Sequence, residues 1–189
     1  AAEAYLRAAL TYPHEKFFEK SVGFAMNAKS IDQVIVASRA WIKAYPKSEM
    51  PYLHLSTALI SLKQFKASTE AFKNALALTP PENRESMIRE IIRLYGLTPE
   101  GLNEISSLEG ILAPYTKNAA TAQVTWFVLG ALRLENQQYD AAFEALQRLT
   151  LTENNTSEFN YLVFNLLKNN HEKSFSLYNT ITNAFSIYN

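Results

Sequence analysis

Apolar residues recur along the chain at steps of three and four, and polar residues fill most positions between them. This spacing is typical of amphipathic helices, whose apolar stripe returns about every 3.6 residues. In the segment "SLKQFKASTEAFKNALALTPP", the pattern stops at Pro80 and Pro81, because proline lacks the amide hydrogen that a helix needs. Strand-like alternation is scarce. The pattern therefore predicts a chain built of helices, with strand content close to none.

Prolines end successive helical stretches at regular intervals. Pro13, Pro46, Pro80 and Pro114 are separated by 33, 34 and 34 residues. Two helices fit into each interval, so each interval predicts an antiparallel helical hairpin. A single hairpin cannot bury its apolar face alone, and the hairpins are therefore expected to stack on one another.

Two segments carry specific side chains at matching positions. The first match comprises Tyr52, Leu55, Ser56, Ser68, Phe72, Ala75 and Pro80. The second comprises Trp126, Leu129, Gly130, Tyr139, Ala142, Leu146 and Leu149. Both resemble the tetratricopeptide repeat (TPR), in which small residues stand where two helices cross closely. The resemblance implies an all-α fold: a TPR-like right-handed solenoid of stacked antiparallel helical hairpins, with about nine or ten helices.

The repeat divides the chain into units within one expected TPR-like domain, residues 1–189. These units are a half repeat 1–13 and the hairpins 15–46, 49–80, 83–114, 122–152 and 157–186. Irregular packing is expected in 83–114, where Pro99 and two glycines interrupt the pattern. In 15–46, Trp41 occupies a position that is usually small, which leaves the local register open.

Composition excludes several classes of protein. With 48% hydrophobic residues among 189, the chain can bury a sizeable core. Eighteen basic and eighteen acidic residues give no net charge, so no overall field attracts nucleic acid or an anionic membrane. Cysteine is absent, which excludes disulfides and thiol catalysis. No apolar run approaches the roughly 20 residues of a membrane span.

Catalytic and cofactor motifs are absent from the sequence. The chain has no phosphate-binding glycine loop and no serine nucleophile elbow. The three histidines lie far apart and lack metal-ligand spacing; they are His14, His54 and His171. We interpret them as surface or groove residues. Several helical carboxylates are interpreted as solvated: Glu15, Glu19, Glu70 and Glu144. The sequence therefore predicts a protein that is not an enzyme, with no cofactor and no metal.

Stacked hairpins form a concave surface lined by the first helix of each hairpin, and this surface is the predicted site. The predicted partner-binding groove consists of Met50, Leu53, His54, Thr57, Ile60, Ser61, Val124, Phe127, Ala131 and Leu134. Such an apolar groove suits an extended or helical segment of a partner protein. TPR domains that hold a C-terminal carboxylate use Lys, Asn and Arg on this face, whereas this chain has Glu19, Gly23 and His54, which disfavours that role. The groove is either open to a partner or covered by another segment of the same protein.

A closer resemblance covers residues 1–80. The order of "AYLRAALTYP", "KFFEKSVGFAMNAKS" and "RAWIKAYP" is similar to the N-terminal part of a proteobacterial family of outer-membrane TPR lipoproteins, although Phe17 and Phe18 depart from its pattern. Members of that family resemble adaptors that bring a carboxyl-terminal processing protease to cell-wall hydrolases. The resemblance implies a periplasmic location and a lipid anchor attached upstream of this chain; the alternative location is cytoplasmic.

The function expected from these patterns is that of a non-catalytic protein-binding scaffold or adaptor in the bacterial cell envelope. Its partner would be a protein or peptide segment, such as a periplasmic protease or a cell-wall hydrolase, and not a nucleic acid. Two alternatives stay open. The chain could be a structural or assembly component of a secretion, pilus or polysaccharide-export system, or an accessory repeat domain of a larger enzyme.

Overall fold

The computed structural model describes residues 1–96 and 99–150, together with 157, 160–162 and 164. These residues form helices and short 3₁₀ turns, and no strand occurs among them. The α-helices are α1 (Ala2–Thr11), α2 (Glu15–Asn27), α3 (Ile31–Ala44), α4 (Met50–Ser61), α5 (Phe65–Leu78), α6 (Arg84–Tyr95), α7 (Pro99–Leu102), α8 (Ile105–Leu112), α9 (Ala122–Glu135) and α10 (Tyr139–Leu146). The predicted all-α fold is confirmed.

The chain divides into two compact units. Unit 1 comprises Ala1–Met87, and unit 2 comprises the described residues from Ile88 onward. The expectation of one repeat domain over 1–189 stays a prediction. The expected hairpin 157–186 lies outside the described residues, apart from the few positions named above.

Unit 1 is a stack in which each helix from α1 to α5 packs against the next. Its central cluster draws on α1, α2, α3 and α4, and includes Ala9, Phe18, Val22, Trp41 and Ala58. The hydroxyl of Ser21 on α2 donates to the backbone carbonyl of Ala2, at 2.9 Å, and joins α1 to α2. The predicted half repeat and the next two hairpins thus form a TPR-like stack.

Three helix-to-helix turns share one backbone conformation. Each contains a residue with positive φ, namely Lys29 (54°), Lys63 (57°) and Gln137 (59°). In each turn, the following amide donates to the carbonyl five residues earlier, at 3.0, 2.9 and 2.8 Å. This is the Schellman arrangement, which satisfies the last carbonyls of a helix. The pairs α2–α3, α4–α5 and α9–α10 therefore share a hairpin turn although their turn sequences differ.

Small residues stand where the paired helices cross, as the repeat pattern predicts. Between α4 and α5, the buried hydroxyls of Ser56 and Ser68 are 2.8 Å apart, and the Ser68 hydroxyl also donates to the Ser56 carbonyl at 3.0 Å. Between α9 and α10, a Cβ added to Gly130 would lie 2.8 Å from Cδ2 of Leu146. No larger side chain fits that crossing without movement of its neighbour.

Unit 2 is less regular than unit 1. After α6, the second helix expected in 83–114 is replaced by the four-residue α7, the eight-residue α8 and a 3₁₀ turn at Ala113–Lys117. The α9–α10 hairpin follows, and Arg133 on α9 links it to α8. Its Nε lies 2.6 Å from Oε1 of Glu109, and its Nη1 donates to the Ala141 carbonyl at 3.0 Å. These short helices lie within 83–114, the unit for which irregular packing is predicted.

Candidate protein-interaction surface

The first six residues of the predicted groove lie on α4, which uses its other faces for packing. Ala58 enters the core cluster of unit 1, and Ser56 contacts Ser68 on α5. Met50 is 38% exposed. Ser61 is also exposed, while Leu53, His54, Thr57 and Ile60 are half-buried. The six side chains thus lie on one helix. Met50 at its start and Ser61 at its end are exposed, and the four residues between them are half-buried.

Hydroxyl groups on this part of α4 are bound within the helix itself. The Thr57 hydroxyl donates to the Leu53 carbonyl at 3.0 Å, and the Ser61 hydroxyl donates to the Thr57 carbonyl at 3.3 Å. Because their donors are used locally, these hydroxyls can offer only acceptor oxygens to an incoming chain.

The other four residues of the predicted groove lie on α9, and three of them are buried. Val124, Ala131 and Leu134 are no more than 6% exposed, while Phe127 is half-buried. Ala131 and Leu134 belong to the core cluster of unit 2, which includes Leu162 and packs against Ile92. In unit 2 the predicted groove is therefore covered by the chain itself. Partner binding there stays a prediction, and the accessible candidate surface is in unit 1.

Trp41 connects the two helices that carry the candidate surface. Its indole is only 3% exposed, and its Nε1 donates to Oε1 of Glu15 on α2 at 2.9 Å. The ring of His54 on α4 lies 6.2 Å from the indole, centroid to centroid. The interpretation of Glu15 as a solvated residue is therefore wrong, because this carboxylate is half-buried and bound to a core side chain.

His54 is held mainly in its neutral form. Burial lowers the pKa of His54 from its ordinary value of 6.5, and the carboxylate of Glu19 opposes part of this change by favouring the imidazolium. Glu19 itself is exposed. At neutral pH the surface therefore presents carboxylates beside an uncharged imidazole and apolar side chains.

One face of α2 completes the surface. Glu15, Glu19 and Met26 are spaced by four and seven residues, which places them along the same side of the helix. Met26 is 43% exposed. We define the α2/α4 face as these three residues of α2 together with four of the predicted residues of α4: Glu15, Glu19, Met26, Met50, Leu53, His54 and Thr57. None of these three α2 residues was in the predicted groove. The sequence placed Glu19 on the inner face, and the spacing of Glu15 and Met26 from Glu19 indicates the same face.

The α2/α4 face offers apolar side chains and carboxylates for contact. Among the residues that the structure describes, no cluster of three or more His, Cys, Asp and Glu side chains could hold a metal ion. Within the same ranges, no helix combines the length and the apolarity needed to cross a membrane.

A polar cavity of about 550 Å³ lies in unit 2 beside the α9–α10 turn. It is lined by Glu109, Arg133, Gln137, Gln138, Tyr139, Asp140 and Ala141. Two of the guanidinium nitrogens of Arg133 are already bound to Glu109 and to the Ala141 carbonyl. We therefore infer that Arg133, through its bonds to Glu109 and to the Ala141 carbonyl, holds α8, α9 and α10 together.

Matches between this chain and known proteins were found among solved structures. No protein-family model matches the chain, and no curated protein sequence matches it. Solved structures do match, among them one described as "MamA RS-1 ArsTM double mutant". The match covers 93% of this chain and 96% of that chain, with 16% identity and a TM-score of 0.44. A likeness at this level carries no functional argument, and the TPR-like assignment rests on the helices, turns and crossings described above.

Proposed function

We propose that this chain is a non-catalytic protein-binding scaffold and that the α2/α4 face is its contact surface. The observation that carries the proposal is the combination on this face of exposed methionines, a half-buried Leu53 and an exposed carboxylate, all held by packed helices. Repeat stacks present such faces without rearranging, because each hairpin is fixed by its neighbours.

Binding would follow from burial of apolar area. A partner segment that covers Met50 and Leu53 gains about 25 cal/mol for each Å² of apolar surface removed from water. Ordering of the segment opposes this gain, but the helices of the scaffold are already ordered. The flexible thioethers of Met26 and Met50 can adapt to side chains of different shape.

The more specific role that we propose is that of an adaptor in the bacterial cell envelope. It is supported by the resemblance of residues 1–80 to outer-membrane TPR lipoproteins that act with carboxyl-terminal processing proteases. On this proposal the chain is periplasmic, is anchored by a lipid attached upstream, and brings a processing protease or cell-wall hydrolase to its target. A cytoplasmic location is the alternative.

Capture of a partner protein tests both the proposed contact surface and the proposed adaptor role. The immobilised chain is exposed to a detergent-solubilised bacterial envelope extract, and the retained proteins are identified by mass spectrometry. Met50→Asp places a charge on the α2/α4 face. Val36→Asp is the matched control, since Val36 is a 57% exposed apolar residue on α3 outside that face. We expect the wild type and Val36→Asp to retain the same proteins and Met50→Asp to lose them.

The identity of the retained proteins distinguishes the roles. A processing protease or cell-wall hydrolase supports the adaptor, whereas export or pilus components favour an assembly role. Retention that persists in both Met50→Asp and Leu53→Asp would show that the α2/α4 face is not the contact surface. Circular dichroism of each variant is required, because a charge at half-buried Leu53 can unfold its hairpin and imitate a loss of binding.

A further inference from the structure

The charge of the α2/α4 face indicates the chemistry of its partner, on the condition that the proposed function holds. Glu19 is exposed, and it forms no hydrogen bond or ion pair with any described residue. Glu15 lies one helical turn before it, and one of its oxygens accepts the indole hydrogen of Trp41. Glu19 acts electrostatically on His54 of α4, and Glu15 is linked to His54 through Trp41, so the two carboxylates lie on the side of α2 near His54.

The two lysines that adjoin these carboxylates in sequence, Lys16 and Lys20, do not pair with Glu19. Lys20, which adjoins Glu19 in sequence, extends toward α1, where its Nζ lies 5.4 Å from the ring centroid of Tyr5. Tyr5 in turn stacks on Phe24, with centroids 5.3 Å apart, so this cation belongs to the α1 side of α2. Lys16 is exposed on α2 and forms no ion pair with Glu19 in the structure. Neither lysine therefore neutralises Glu19.

We propose that the α2/α4 face binds a protein segment in which a lysine or arginine lies next to apolar residues. The apolar residues would contact Met50 and Leu53, while the cation would lie against the carboxylate of Glu19. An acidic segment would be repelled by Glu15 and Glu19. The face would therefore bind basic segments in preference to acidic ones. Because Glu19 is exposed, water and salt screen this attraction, and the attraction is expected to weaken as ionic strength rises.

A peptide display experiment identifies the preferred chemistry directly from binding. A library of random peptides is selected against the whole immobilised chain, and the enriched peptides are synthesised with a fluorescent label. We expect these peptides to combine apolar residues with at least one lysine or arginine, and to bind more weakly as salt concentration rises.

A double-mutant cycle then locates the cation. Glu19→Gln removes the charge without changing the shape of the side chain, and Glu144→Gln on α10 is the matched control at another exposed carboxylate. We expect Glu19→Gln to weaken peptide binding about fivefold and Glu144→Gln to leave it unchanged. Replacement of the basic residue of the peptide by Gln should weaken binding to the wild type by a similar factor, with no further loss in Glu19→Gln.

The outcomes separate this inference from the proposed function. The inference is wrong if the enriched peptides lack basic residues or bind Glu19→Gln as well as the wild type. If Met50→Asp abolishes binding of the same peptides, the proposed contact surface still holds. If no enriched peptide depends on Met50 or Leu53, both the inference and the proposed contact surface are wrong. Because Glu19 is exposed and its replacement is isosteric, Glu19→Gln is expected to fold normally.

Discussion

His54 lies against the indole of Trp41, and this placement couples the stability of unit 1 to pH. Burial lowers the pKa of His54 in the folded chain, whereas the unfolded chain keeps a pKa near the ordinary 6.5. Between these two values the unfolded state binds more protons than the folded state. Stability contributed by the neutral imidazole is therefore present above about pH 6.5 and is lost as pH falls toward the folded-state pKa.

Urea unfolding at several pH values from neutral to mildly acidic measures this effect. The wild type should lose stability as the solution is acidified, and His54→Gln should lose less because it has no imidazole to protonate. Glu19→Gln is an informative comparison, since Glu19 favours the imidazolium in the folded state. Its removal should enlarge the loss in acid. An equal loss in the wild type and His54→Gln would assign the acid sensitivity to other groups.

Single residues also show where the sequence pattern stops being informative. The position of Trp41 in the repeat marks it as unusual, but its hydrogen bond to Glu15 joins residues 26 positions apart. That bond depends on how α2 crosses α3, which helical periodicity does not specify. Glu15 therefore looks like any solvated helix carboxylate in the sequence, although the structure gives it a buried partner.

At the scale of the element, the close crossing of α9 and α10 depends on Gly130. In Gly130→Ala the new Cβ would lie 2.8 Å from Cδ2 and 3.1 Å from Cγ of Leu146. Leu146 is 1% exposed, so its side chain cannot move into solvent. We expect a cost of about 1–3 kcal/mol for the overpacked crossing, partly offset by the higher helix propensity of alanine, about 1 kcal/mol.

Gly110→Ala is the matched control for this prediction. Gly110 is an exposed residue of α8, and a Cβ added there meets no atom within 4 Å. Alanine at this position should stabilise the chain by up to about 1 kcal/mol, because only the propensity effect operates. Thermal or urea unfolding compares the two variants. Stabilisation by both would show that the α9–α10 crossing accommodates a methyl group.

Regular elements were more predictable than the segment between them. Proline spacing indicated the α4–α5 hairpin, and small crossing residues indicated both α4–α5 and α9–α10, because these features follow directly from helix geometry. In 83–114 the sequence indicated only that the second helix would be interrupted near Pro99. The short helices α7 and α8 replace that second helix. Their formation depends on tertiary packing of residues such as Leu108, which is fully buried.

At the scale of the whole molecule, the repeat pattern identified which residues could line a groove but not which of them remain accessible. On α4 the predicted residues keep an exposed edge at Met50, whereas on α9 Ala131 and Leu134 are buried with Leu162. The side chains that cover α9 come from distant parts of the sequence, including Ile92. Because helical periodicity is a local property, it cannot show such coverage.

Unit 1 has a core of its own, and we expect its helices to fold without the rest of the chain. A fragment of residues 1–83 retains α1 to α5 and the 3₁₀ turn at Pro81–Asn83. It also contains the core cluster around Phe18, Val22 and Trp41. We expect it to be helical and to unfold cooperatively in urea, with a smaller m-value than the whole chain because less surface becomes exposed.

Trp41 provides the readout, because the only other tryptophan is Trp126 and lies outside the fragment. The fluorescence emission of Trp41 in the folded fragment should be that of a buried indole. During urea unfolding it should change at the same urea concentration as the circular dichroism signal of the helices. A shorter fragment, residues 1–44, removes α4 and with it His54 and Ala58, which pack near Trp41. It should be poorly helical, with a solvated indole, because so few helices bury too little apolar area. If 1–83 behaves like 1–44, the core of unit 1 requires residues beyond α5, and the α2/α4 face must be studied only in the whole chain.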